Sequence, residues 1–195
     1  MPSILGRKLG MTRIFQDDGR VIPVTVISCP PSTVTQVKTD DKDGYPAIVL
    51  GFEALKKPRK TKKFRFLREF RVEKPENYKI GDTVTVEQFK DIKELIVTGI
   101  SKGKGFAGCI KRHHFSSGPG SHGSHAKREP GSIGARAKPG RIHKGKRMAG
   151  RMGNKQVTIK HIPLIEINPE KNLLVIKGQT PGPKGGLIMI KTFNS

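Results

Sequence analysis

The sequence predicts a mainly β protein, a small closed β-barrel carrying a long, irregular, basic extension inserted between two of its strands. Three observations predict it. Runs rich in Val, Ile, Thr and Phe, separated by Gly, Pro and Asp turns, recur about every ten residues up to residue 98 and again after residue 155. Helical periodicity is weak throughout. Between the two β-rich flanks lies Gly99–Lys155, with fourteen Lys or Arg, one acid (Glu129), thirteen Gly and five of the chain's six His.

The elements follow in order. Thr12–Phe15 reads as a short strand closed by the turn Asp17-Asp18-Gly19, and Val21–Ser28 as a second. Pro23 lacks an N–H for the ladder, so it places that run at an edge or a bulge. Pro30-Pro31 separates it from Thr33–Lys38, which alternates with period two. A turn at Asp40–Gly44 leads to Ala47–Phe52. Ala54–Lys63 is a basic run broken by Pro58, either a solvated loop or a backbone contact to nucleic acid. In Phe64–Val72 the side chains of Phe64, Phe66, Phe70 and Val72 fall on one face and Arg65 and Arg71 on the other. Leu67 and Arg68 break that alternation, so a short turn within the run is the alternative to an unbroken strand. These aromatics read as core, with base stacking the alternative.

Thr83–Glu87 and Leu95–Ile100 read as strands, with about one turn of helix in Gln88–Glu94. Gln156–His161, Leu164–Ile167, Leu173–Lys177 and Leu187–Lys191 resume the strand pattern. The domain organisation that follows is a barrel from 1–98 and 156–195, with 99–155 as the inserted extension. Doubled back on itself, the extension reaches at most about 90 Å, at roughly 3.3 Å per residue over half its length. A loop this long without structure of its own is uncommon unless it is functional.

Charge narrows the function. The 195-residue chain carries +22; fourteen cations less one acid put +13 on the 57 residues of the extension and leave +9 on the other 138. Apolar residues are too sparse there to bury a core, so the segment is expected to be disordered alone and to take shape on a polyanion. An anionic membrane surface would require an amphipathic apolar face, and none opposes these charges. RNA or DNA is the expected partner. Two cysteines far apart, Cys29 and Cys109, fit a reducing cytosol rather than a disulfide framework. No presequence or long apolar run marks the N-terminus, and no stretch approaches the length of a membrane span.

Several motifs suggest chemistry without the context it needs. Gly103–Gly108 spells G-x-G-x-x-G, with Glu129 about twenty residues on, but CIKRHHFSSGPG cannot continue the helix that a dinucleotide site requires. Gly140–Arg147 spells G-x-x-x-x-G-K with Arg147 where Ser or Thr would ligate magnesium. His113, His114, His122 and His125 have no cysteine partners and sit among cations that disfavour a divalent metal. Glu129 lies beside Lys127 and Arg128, where a local ion pair is its expected role. Ser116, Ser117, Ser121 and Ser124 read as loop residues. No catalytic residue, metal or cofactor is therefore expected.

The expected RNA-binding residues are Lys102, Lys104, Lys111, Arg112, Lys127, Arg128, Arg136, Lys138, Arg141, Lys144, Lys146, Arg147, Arg151 and Lys155, with the imidazoles of His113, His114, His122 and His125. Glycines between them permit close backbone approach, and Pro119, Pro130 and Pro139 stiffen the thread. A nucleotide-using enzyme and a free-standing nucleic-acid chaperone are the alternatives from other functional classes.

GRKLGMTRIF at Gly6–Phe15 and IPVTVI at Ile22–Ile27 resemble the start of the bacterial large-subunit ribosomal protein of the L-three (uL-three) family. GKGFAGCIKRHHFSSGPGSHGSHAKREPGSIGA and PGRIHKGKRMAGRMGNKQVT resemble that family's central extension nearly end to end, and the likeness covers essentially the whole chain. The resemblance implies a barrel of the translation-protein type on the solvent side of the ribosome, bound to the 3′ domain of large-subunit (23S-type) rRNA. It implies an extension whose tip approaches the peptidyl transferase centre, and an early scaffold role in assembly. Neighbours of the L-fourteen and L-nineteen families and a cytoplasmic location in the ribosome follow, with no membrane and no homo-oligomer. By position in the motif the tip is Gly131–Gly140, including Ser132, Gly134, Ala137 and Pro139. Some family members carry a methylated Gln before the Pro-Gly of this tip; counting from Gly134, that position is Ala137 here, so no such modification is expected.

Overall fold

A computed structural model describes residues 2–60 and 62–193 and is mainly β. The first strands are β1 (Ser3–Phe15), β2 (Val21–Ser28) and β3 (Ser32–Lys38), followed by one helical turn, α1 (Asp40–Asp43). Then come β4 (Ala47–Ala54), β5 (Phe64–Arg71), β6 (Thr83–Val84) and β7 (Glu94–Ile100). The middle of the chain holds β8 (Phe106–Ala107), α2 (Cys109–His113) and β9 (Gly150–Arg151), and the last strands are β10 (Gln156–Asn168), β11 (Leu173–Lys177) and β12 (Leu187–Thr192). By contact the chain divides into two compact units, Met1–Ser101 with Gln156–Ser195, and Lys102–Lys155.

In the first unit six strands pair antiparallel in the order β1-β12-β7-β10-β11-β2, and β2 pairs again with β1, so each has two neighbours. The strands between residues 32 and 84 stay outside this circuit. They form a second sheet in the order β5-β4-β3-β6. A single barrel built from both flanks is therefore too simple, because periodicity reveals strands but not their partners. One apolar cluster spans both sheets, joining Leu5, Ile27, Leu174 and Ile190 of the circuit to Val34, Ile48, Leu50 and Phe70 of the second sheet.

Several expectations are corrected. β1 begins at Ser3, nine residues before Thr12: Ser3, Ile4, Leu5 and Gly6 are all buried, so both faces of this half are covered and alternation vanishes. Pro23 holds the expected edge position, although its strand has a neighbour on each side. It pairs with Arg13 of β1 where β11 has already ended, and its carbonyl accepts from Gly178 N–H at 2.8 Å. β5 contains no turn, since Arg68 takes the half-buried position opposite Leu50 and Leu67 faces out at 44 % exposure. The run from Thr83 yields only two strand residues before a 3-10 turn at Val86–Phe89, which begins ahead of the expected Gln88. Gln156–His161 and Leu164–Ile167 belong to one strand. Its register shifts between Ile159 and Ile162, where His161 adopts a φ of +54°.

A charged knot joins the two sheets. Arg7 of β1 donates from Nε and Nη2 to the Glu53 carboxylate of β4, the Nη2 bond measuring 2.8 Å, and its Nη1 reaches the Gly185 carbonyl at 2.6 Å. Arg65 adds a second cation 3.6 Å from Glu53. The hydrogen bond from Arg7, opposed by partial burial, and the charges of Arg7 and then Arg65 hold the Glu53 carboxyl below its ordinary 4.5. The pair's contribution to stability is thus complete above the unfolded-state value and is lost as pH falls through the lower folded-state value. Glu53→Gln is expected to flatten the acid limb of a urea-midpoint profile between about pH 6 and pH 3 while changing the neutral limb less.

Candidate nucleic-acid interface

The second unit, Lys102–Lys155, owes its form to backbone contacts between its two limbs rather than to a core. At its base β8 pairs with β9, Phe106 opposite Arg151 and Ala107 opposite Gly150. Lys104 N–H donates to the Met152 carbonyl and Met152 N–H to the Gly105 carbonyl, both at 2.9 Å. Gly153 makes this approach possible. Its φ is +72°, and a Cβ there would sit inside contact distance of the Lys102 carbonyl oxygen. Within the first limb, Gly118 N–H donates to Lys127 O at 3.2 Å, and a side chain at Gly118 would collide with the Ala126 carbonyl.

Beyond the ladder a clasp joins the limbs again. α2 opens at Gly108, the third glycine of the G-x-G-x-x-G run, and ends after five residues where His114 turns left-handed at φ +59°. The last turn presents Arg112, whose Nη1 donates to the Met148 carbonyl at 2.7 Å. His113 Nε2 lies 3.0 Å from the same oxygen, which as a pure acceptor requires that nitrogen to carry the proton. The clasp was not legible beforehand, because Met148 contributes only its carbonyl and a carbonyl has no sequence signal.

The structure divides the expected RNA-binding residues accordingly. Arg112 and His113 are half-buried and turned toward Met148. The other sixteen are all exposed: Lys102, Lys104, Lys111, His114, His122, His125, Lys127, Arg128, Arg136, Lys138, Arg141, Lys144, Lys146, Arg147, Arg151 and Lys155. Glu129 makes no ion pair among the described residues, so the expected link to Lys127 or Arg128 does not form. The unit's single acid therefore cancels no particular cation.

At Gly131–Gly140 every residue is exposed. The Ser132 hydroxyl donates to the Gly134 carbonyl at 3.1 Å, and Gly140, at φ +67°, folds back against the Ala137 carbonyl. Ile133 and Ile142 line a shallow concavity beside Arg136 and Arg141. No three His, Cys, Asp or Glu side chains gather to hold a metal ion among the described residues. No strand precedes Gly140 in this unit's second half. Cys109 is buried. Cys29 is buried beside Gly6 in the first unit, and burial pushes its thiol far above the ordinary range, away from nucleophilic use.

The arrangement can therefore do one thing well. It presents thirteen exposed Lys and Arg side chains on a scaffold whose limbs are tied together by glycine-permitted backbone contacts. Such a surface neutralises phosphates over a long path.

Comparisons with known proteins agree on one family. A family model described as Ribosomal protein L3 matches residues 61–189. The chain is similar to the large ribosomal subunit protein uL3 of Synechococcus sp. (strain JA-3-3Ab), 51% identical over 200 residues covering 96% of this chain and 94% of that protein. It is 48% identical over 202 residues to uL3 of Acidothermus cellulolyticus, covering 97% of this chain and 91% of the relative. For uL3 of Thermosipho africanus the identity is again 48% over 202 residues, covering 98% of each.

Proposed function

The chain belongs to the ribosomal protein L3 family, and from that premise we propose that it anchors itself in large-subunit rRNA through Lys102–Lys155. It is a structural constituent of the large ribosomal subunit. In our reading 1–98 and 156–195 form the globular anchor, the six-strand circuit being a closed barrel of the translation-protein type. The segment 99–155 is the extension that enters folded rRNA, with Gly131–Gly140 delivered toward the peptidyl transferase centre. The protein acts early in assembly beside L-fourteen and L-nineteen family neighbours, in the cytoplasm and without catalysis of its own.

The observation that carries this reading is the set of thirteen exposed cations on a unit with one unpaired acid. Phosphate contacts fix position rather than read sequence, as a scaffold on one defined RNA requires. Sedimentation of lysate tests the assignment: nearly all of the protein should migrate with large subunits, and depletion should stall their precursors. A predominantly free pool would overturn it, as would micromolar binding of ATP or NAD by the isolated chain.

A further inference from the structure

We propose that Phe106 is a stacking platform for an unpaired nucleobase of the bound RNA. The inference deepens the RNA-binding reading above and rests on it. Phe106 is 81 % exposed, the highest value among the large apolar side chains of the described residues. The other eight of the chain's nine phenylalanines are buried, packed on a glycine, faced by a guanidinium or paired with an imidazole. Phe66, for example, has the Arg65 guanidinium 5.4 Å from its ring centroid. Among the described residues neither ring nor cation lies over Phe106. The ring is open to solvent.

The ring is also held in place. Phe106 and Ala107 are successive residues of a ladder, so they point to opposite sides, and Ala107 is buried with Cys109. Gly150, the partner of Ala107, lies against the Arg112 guanidinium that is clasped to Met148. The rung carrying Phe106 is therefore braced from behind, and presenting the ring costs little further ordering.

The surroundings select the occupant. Arg151 is the direct cross-strand partner of Phe106, and Cβ atoms of such pairs lie about 4.5–5.5 Å apart. Lys104 is exposed two residues before it. An apolar protein pocket closing over this ring would strip water from both cations without neutralising them. A nucleotide provides a π-face for the ring and a phosphate for the guanidinium.

The chain contains no tryptophan, so Phe106→Trp places its only indole at the platform. Titrating the full-length variant with large-subunit rRNA should quench most of the indole emission, whereas inorganic polyphosphate, bound at the same low salt, should not. In filter binding, Phe106→Leu should weaken rRNA affinity roughly tenfold with an unchanged salt slope, and Phe106→Trp should stay within about twofold of the parent. Unquenched emission from a bound complex, equal quenching by polyphosphate, or parental affinity in Phe106→Leu would each overturn the platform. Phe106→Leu that binds rRNA normally yet is lost from subunits would assign the ring to a protein neighbour and refute the proposal. Absence of rRNA binding by the parent chain would remove the RNA reading and the platform together, an outcome distinct from a bound but unquenched variant.

Discussion

Replacing Ser101–Lys155 by Asn-Gly is expected to leave a folded protein that binds large-subunit rRNA on the order of a thousandfold more weakly at about 0.1 M salt. The splice is dictated by register: Ile100 of β7 and Gln156 of β10 are Cα partners, so two residues in a type I′ turn close the gap without moving either strand. The first unit keeps its apolar cluster, because no residue of that cluster lies between 101 and 155. Cooperative melting close to that of the full chain should confirm that this unit folds alone. The loss of affinity comes from counterion release. Thirteen exposed Lys and Arg are removed, and if about half of them meet phosphates, the plot of log affinity against log salt flattens by about five to six units. Filter binding from about 0.05 to 0.4 M salt reads this directly. An unchanged slope in the spliced protein would place the RNA contacts on the first unit instead, where Ala54–Lys63 is the next densest cationic run.

What was legible in the sequence, and what was not, follows physical lines. β2 and β11 match their expected bounds residue for residue, since Val, Ile and Leu dominate both and turn residues flank them. The N-terminal half of β1 was missed because its Gly6, Arg7, Lys8 and Gly10 interrupt any apolar run. Yet each has a place: Arg7 joins Glu53, Lys8 donates to the Thr180 carbonyl at 2.8 Å, and Gly6 leaves room for Cys29. Such residues are fixed by partners far along the chain, which a local window cannot see. The same limit hid the second sheet. In the candidate interface the cations and glycines were legible by counting, because their effect there is collective. Phe106 is not legible in the same way, because one aromatic in a glycine motif carries no periodic signal. Its meaning comes from the Ala107–Gly150 rung behind it and the empty space in front.

Phe89→Ala is expected to separate stability from binding in the opposite sense to the splice. Phe89 closes the 3-10 turn Val86–Phe89, is fully buried, and belongs to the cluster shared by Leu5 and Leu174 of the six-strand circuit and Val34 and Leu50 of the second sheet. Truncation leaves a cavity in the core cluster to which both sheets contribute, and the cost should be about 3–5 kcal/mol. At about 2–4 °C per kcal/mol for a domain of this size, the midpoint should fall by about 10 °C. Well below that midpoint the native population stays close to complete. The rRNA affinity and its salt slope should then match the parent, because the exposed cations of Lys102–Lys155 and the ties between its limbs are untouched. Adding rRNA should restore part of the lost midpoint, since a ligand that binds only the native state stabilises it by mass action. If Phe89→Ala instead lost affinity in proportion to its stability at a temperature where it remains folded, the binding energy would have to reside in the packed sheets. Charge on the extension would then be a passenger rather than the anchor.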